Sequence, residues 1–203
     1  MNLNIGSGNL YMTKIGIIRH GSTPWNKGGR AQGNSDIQLN EEGLSGAHQL
    51  AERLRTEEWD IVYSSNLLRA QQTAEIIADK IRIKIHLDSR LREVGGGLIE
   101  GTTEEERVLK WGGKWRELDL GIESDDSVIA RGLSLIEEVS NKHINQNILI
   151  VSHGSFIKQI LKVLVPHFNI EESLSNASFT SLVKYENGWD CDLYNCTKHL
   201  NES

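Results

Sequence analysis

Lys14-Ile15-Gly16-Ile17-Ile18-Arg19-His20-Gly21 is a short apolar run that closes on a basic pair and a glycine, and Asn147-Ile148-Leu149-Ile150-Val151-Ser152-His153-Gly154 repeats the design far along the chain. A brief, continuous apolar run bounded by turn formers reads as a strand buried on both faces, the kind that fills parallel sheets. A side chain leaving the carboxyl end of such a strand stands where open α/β folds receive ligands. Two histidines at that position point to an enzyme with its site on one sheet edge.

The residues between and after these runs alternate in the way a parallel sheet requires. The stretch from Gly21 to Asn40 is rich in Gly and Asn and too long for a plain connector, which marks it as a binding loop. Asn40 then reads as an N-cap, with Glu41 and Glu42 at the positive end of a helix that sends Leu44, Ala47, Leu50, Ala51 and Leu54 to the core. Asp60 to Ser64 is a second strand, Leu67 to Ile81 a helix carrying Ala70, Ala74, Ile77 and Ala78 inward, and Ile83 to Leu87 a third strand. A turn at Val94-Gly95-Gly96-Gly97 precedes a Glu-rich helix capped by Thr102 or Thr103, ahead of Trp111 and Trp115. Ser124 caps a long helix from Asp125 towards Asn141, with Val128, Leu133, Leu135, Ile136 and Val139 inward. A helix over Phe156 to Val165 follows the second histidine, and Asn187-Gly188 joins strands at Phe179 to Tyr185 and Trp189 to Tyr194. The pattern predicts an α/β fold, a three-layer α/β/α sandwich around a mostly parallel central sheet.

At 203 residues the chain supports one core rather than two, so residues 13–203 are expected to form a single domain with a flap at about 95–125. Residues 1–12 are expected to be a disordered extension, since they hold neither a basic segment nor a long apolar one and read as neither signal peptide nor membrane helix. The net charge of −6, without a basic stripe, argues against nucleic acid and anionic membranes as partners. Cys191 and Cys196 stand in no metal-ligand spacing and form no disulfide framework, which favours a reducing cytoplasm.

A negative protein that handles anions must gather its cations locally. Arg19 adjoins His20, and Arg69 follows the second strand at the start of its helix, so two strand ends of one sheet can bring both guanidinium groups to one opening. Their planar forks match phosphoryl oxygens and keep their charge. A neutral imidazole nitrogen in line with phosphorus can act as nucleophile, with water completing hydrolysis. Glu93, in Leu91-Arg92-Glu93 beyond the third strand, is placed to protonate the leaving oxygen if nearby phosphate charge or burial holds its proton.

The chain resembles the histidine phosphatase superfamily, in its phosphoglycerate-mutase-like branch. The resemblance runs through Arg19-His20-Gly21-Ser22-Thr23-Pro24-Trp25-Asn26, Arg30 to Asp36 with Leu39, Tyr63-Ser64-Ser65 through Arg69 to Ala74, Leu91-Arg92-Glu93 with Glu100-Gly101, and Val151-Ser152-His153-Gly154. It implies His20 as the phosphorylated nucleophile, Arg19 and Arg69 as clamps, His153 as a further phosphate donor and Glu93 as general acid and then base. It implies substrate binding by Asn26, Thr23, Gln32, Gly33 and Gly154, and chemistry without metal or cofactor. Ser22 stands where the branch usually has Glu or Gln, and Val94-Gly95-Gly96 follows Glu93 where the mutases have Arg and a Tyr-Gly pair.

The expected activity is therefore metal-independent hydrolysis of phosphomonoesters of small metabolites, in a chain that could pair as a homodimer. Two rivals remain: a cofactor-dependent phosphoglycerate mutase, and an inactive phospho-ligand-binding protein. Trp111 and Trp115, four apart, either face the substrate from the flap or anchor their helix to the body. His48, His86, His143, His167 and His199 share no spacing and read as structural or surface residues.

Overall fold

The computed structural model describes residues 13–170 and 173–200, so the expected extension at 1–12 lies outside the described residues. Six strands form one sheet: β1 (Thr13–Arg19), β2 (Ile61–Ser64), β3 (Ile85–Leu87), β4 (Asn147–Ser152), β5 (Phe179–Tyr185) and β6 (Gly188–Cys196). The helices are α1 (Pro24–Lys27), α2 (Glu41–Leu54), α3 (Leu68–Ile81), α4 (Glu104–Trp111), α5 (Asp125–Lys142) and α6 (Gly154–Leu164). The strand order is β3-β2-β4-β1-β5-β6. The first four run parallel, and β5 and β6 add antiparallel pairings at one side.

Side-chain alternation along the strands divides the core into two layers. Ile148 and Ile150 of β4, with Ile15 and Ile17 of β1, meet Leu135 and Val139 of α5 and Phe156 and Ile160 of α6. Leu149, Val151 and Ile18 point the other way, onto Leu50 and Leu54 of α2 and Ala74 and Ile77 of α3. Each such fully buried aliphatic side chain contributes roughly 1.5–3 kcal/mol relative to exposure. The expected three-layer α/β/α sandwich is thus the observed one. Gly16 keeps the second layer closed, because a Cβ there would stand 2.6 Å from Phe179 and 2.8 Å from Trp59, which meet edge to face.

Caps were legible and boundaries less so. Asn40, Thr103 and Ser124 each accept from the third backbone N–H of α2, α4 and α5, as their side-chain chemistry predicts. Leu44, expected in the core, is 38% exposed. Gly43 and Gly46 take the inward face ahead of Ala47, Leu50 and Leu54, because α2 packs its first turn directly on the loop backbone: a Cβ on Gly43 would lie 2.1 Å from the Ser22 carbonyl. Strand β3 begins two residues later than expected, since Arg82 turns left-handed (φ 60°) and Ile83 N–H closes the end of α3 on the Ala78 carbonyl. Helix α6 starts at Gly154 rather than Phe156. The loop after β1 holds the short helix α1, a turn fixed by a Thr23–Asn26 capping box that periodicity does not reveal.

Candidate active site

β1 and β4 are parallel neighbours with Arg19 opposite Ser152, so His20 and His153 leave the sheet side by side, their ring centroids 5.1 Å apart. Both are buried. His20 Nδ1 lies 2.7 Å from the Gly21 carbonyl oxygen, which can only accept, so Nδ1 carries the proton and Nε2 keeps its lone pair. Burial, then the charges of Arg69 and Arg19, hold the His20 pKa well below 6.5 and the ring neutral. The main chain around it is fixed from three sides: Ala177 N–H donates to the His20 carbonyl, Asn176 Nδ2 to the same oxygen, and Gly21 N–H to Thr73 Oγ1 at 3.0 Å.

Arg69 is fully buried where α3 leaves β2. Its two terminal nitrogens donate to the Ser35 and Gly33 carbonyls, each at 2.8 Å, and its Nε has no partner. Burial pushes its pKa down to about 10 against the opposing charges of Glu93, Asp36 and Glu100. Arg19 is arranged alike: its Nη1 donates to the Leu174 carbonyl, its Nε has no partner, and burial lowers its pKa. His153 donates or accepts at Ser65 Oγ through Nε2 at 2.8 Å, and its Nδ1 is a third buried nitrogen without a partner. Three orphaned polar nitrogens around one neutral imidazole are costly unless an anion with several acceptor oxygens joins them.

Glu93 faces this group from the segment after β3. Its Oε1 accepts from Val94 and Phe156 N–H at 2.9 Å each, and its Oε2 from Ser155 N–H at 3.2 Å, which seats the carboxylate on the first turn of α6. This seat explains the earlier start of α6. Arg131 of α5 holds the segment from behind, donating to the Arg90, Arg92 and Glu93 carbonyls while bonding both oxygens of Glu123. Glu123 in turn accepts from Gly95 N–H. That bidentate pairing with Arg131 holds the Glu123 pKa down at about 2.

Arg19, His20, Asn26, Gln32, Gly33, Arg69 and Glu93 line one cavity of about 400 Å³, with His153 packed against His20. Gly33 is left-handed (φ 47°) and a Cβ there would lie 2.1 Å from Glu100 Oε1, so glycine is required for its carbonyl to meet Arg69. Thr23 is fully buried, capping α1 and lying 3.1 Å from Gln32 Oε1. Gly154 lets Arg19 pack over the start of α6, where a Cβ would stand 3.2 Å from its Nε. Trp115 sits beyond the end of α4, which stops at Gly112 (φ 84°). It is buried, donates from Nε1 to Glu104 and lies under Arg107 and Arg116, so it anchors this region, and neither it nor Trp111 lines the cavity. Sequence reading quoted Ser65 and Thr73 within its motifs without giving them a role, and missed Asn176, Glu123, Arg131 and Gln159. Their signal is long-range pairing, which no local pattern carries. Among the described residues no helix is long and apolar enough to cross a membrane, and no group of three His, Cys, Asp or Glu is placed to hold a metal.

Comparison with known proteins agrees with this fold. The metal-independent phosphoserine phosphatase of Arabidopsis thaliana is 33% identical over 203 residues, covering 93% of this chain and 84% of that protein. Phosphoglycerate mutase-like protein 4 of the same plant is 30% identical over 202 residues, with coverage of 94% and 88%. Among solved structures, a mycobacterial glucosyl-3-phosphoglycerate phosphatase in complex with VO3 superposes with a TM-score of 0.82 at 28% identity, covering 90% of this chain and 99% of that one. Residues 15–197 match the profile of the histidine phosphatase superfamily, branch 1, and the chain belongs to that family.

Proposed function

We propose that the chain is a phosphomonoesterase that hydrolyses phosphate esters of small metabolites through a phosphohistidine at His20, without a metal. The observation that carries this reading is the set of unpartnered buried nitrogens, Arg19 Nε, Arg69 Nε and His153 Nδ1, around an imidazole whose Nε2 is bare. A phosphoryl group brings the acceptor oxygens that the two guanidinium nitrogens lack, and that His153 Nδ1 lacks when Ser65 Oγ donates to its Nε2.

In the first step the Nε2 lone pair attacks phosphorus, the bond to the ester oxygen breaks, and Glu93 gives that oxygen a proton. Arg19, Arg69 and His153 hold the non-bridging oxygens as charge builds on them. In the second step Glu93 takes a proton from water, the hydroxide forms the new P–O bond, and the P–N bond breaks to release phosphate and the neutral ring. A mutase would need a further grip on the second phosphate or carboxylate of its substrate, and the rim's Arg30 is already held by both oxygens of Glu106. That favours hydrolysis over transfer. A silent binder would have no use for Glu93 on the leaving-group side. Cytoplasmic residence fits Cys191 and Cys196, which are buried free thiols.

Rapid quenching during turnover of p-nitrophenyl phosphate is expected to trap an acid-labile, base-stable phosphoenzyme that His20→Ala no longer forms. Turnover in a strong chelator should be unchanged. Full hydrolysis by His20→Ala would end the reading.

A further inference from the structure

The outer half of the cavity is made of different material from its floor. Val94, Ile99 and Ile122 line it together with Arg30 and Gln159. The three aliphatic side chains give a leaving group carbon to lie against. Arg30 adds little net charge, since Glu106 takes it at 2.8 and 3.0 Å. Carboxylates stand one bond behind the wall: Glu100 accepts from Gly96 N–H, Glu123 from Gly95 N–H, and Asp125 from the Gln159 amide. A second anion on the substrate would meet a cation already matched by Glu106, with the Glu100 and Asp125 carboxylates close behind and Glu123 itself matched by Arg131.

Gln159 is the unused polar group here. Its Nε2 donates to Asp125 Oδ1 at 2.9 Å, and because a carboxylate only accepts, the amide orientation is settled with nitrogen towards Asp125. The other end, Oε1, is buried and has no hydrogen-bond partner. A buried lone acceptor carries a penalty that an incoming O–H relieves.

We infer that the substrate is a phosphate ester of an uncharged alcohol, apolar along one side and bearing a hydroxyl that donates to Gln159 Oε1, and that alcohols carrying a second anion are rejected. This rests on the phosphatase reading above and narrows it.

Glycerol 3-phosphate and 3-phosphoglycerate differ at one carbon, a hydroxymethyl in the first and a carboxylate in the second. With the wild-type protein, kcat/KM is expected to be at least about tenfold higher for glycerol 3-phosphate. Propyl phosphate lacks both hydroxyls, and the ratio of kcat/KM for glycerol 3-phosphate over propyl phosphate is expected to fall about tenfold in Gln159→Leu. Equal or faster turnover of 3-phosphoglycerate, or a ratio that Gln159→Leu leaves in place, overturns the inference while hydrolysis itself stands. The first comparison needs no variant and decides the rejection of a second anion; if Gln159→Leu does not fold, Gln159→Met is read the same way for the hydroxyl. Absence of turnover on all three esters, with no phosphoenzyme, instead removes the reading beneath it.

Discussion

The floor of the cavity and its rim hold arginines of opposite kinds. On the floor, Arg69 is buried and Arg19 partly so, and both are bonded to neutral carbonyls and left with an unpartnered Nε. On the rim, Arg30 and Arg131 each grip a carboxylate with two nitrogens, Glu106 in one case and Glu123 in the other. A guanidinium bonded only to carbonyls keeps more of its field for a ligand than one bonded directly to a carboxylate. On the proposed reading, the difference gives phosphate to the floor and leaves the rim to hold the Glu93 segment and select the alcohol.

The sharpest way to break that contrast is to remove one arginine of each kind. Arg69→Met is expected to lower kcat/KM by about 10²–10³, the usual loss when one preorganised donor to a developing oxyanion is taken away. The same segment of chain should stay folded, which circular dichroism and an unchanged elution volume would check. A loss below about tenfold would place Arg69 among structural arginines and erase the distinction between floor and rim.

A smaller and different effect is expected from the rim. Arg131 lies outside the cavity; it fixes the Arg90, Arg92 and Glu93 carbonyls and so, in the proposed mechanism, acts through Glu93 as proton donor. Arg131→Met should lower kcat for an alkyl phosphate by about tenfold, because the poor leaving oxygen needs its proton, and for p-nitrophenyl phosphate by less than about threefold, because that leaving group departs as the anion. Equal losses on both esters would make Arg131 a stability residue alone. Rescue of the alkyl ester by Arg131→Lys should be incomplete, since one ammonium cannot span three carbonyls and a carboxylate.

This contrast also separates what the sequence shows from what it hides. Strands that end in Arg19-His20 and Ser152-His153 are readable because apolar runs and their punctuation are local, and the caps at Asn40, Thr103 and Ser124 are readable for the same reason. The floor residues follow from them, since strand ends of one parallel sheet share an edge. Leu44 misleads because helical period fixes spacing and not phase: the close approach of Gly43 to Ser22 rotates α2 so that glycine, not leucine, faces inward. The rim is hidden throughout. Glu123, Arg131 and Gln159 sit on or just before α5 and α6, in sequences that read as ordinary helix surface, and their value lies in partners up to 41 positions away. Asn176, which ties the backbone of His20 from 156 positions downstream, is beyond any local rule.

Acid titration should resolve the two regions a second time, as two separate losses of stability. On the floor, burial first and then Arg69 hold His20 and His153 well below 6.5. Below that value the unfolded chain binds protons that the native fold refuses, so stability declines as pH falls, whereas above it the pair adds no pH dependence. On the rim the sign of the shift is the same and the window is lower. Glu123 is held at about 2 by Arg131 against an ordinary 4.5, so its contribution is complete above 4.5 and drains between there and about 2. The melting temperature of the wild-type protein is therefore expected to fall in two stages on acidification. His153→Asn should make the first stage shallower without moving the second, and Glu123→Gln should lower the plateau and flatten only the second. A melting temperature that stays level down to 4.5 would mean that the paired imidazoles accept protons freely in the native fold, and the neutral imidazole that the proposed mechanism needs at His20 would be lost.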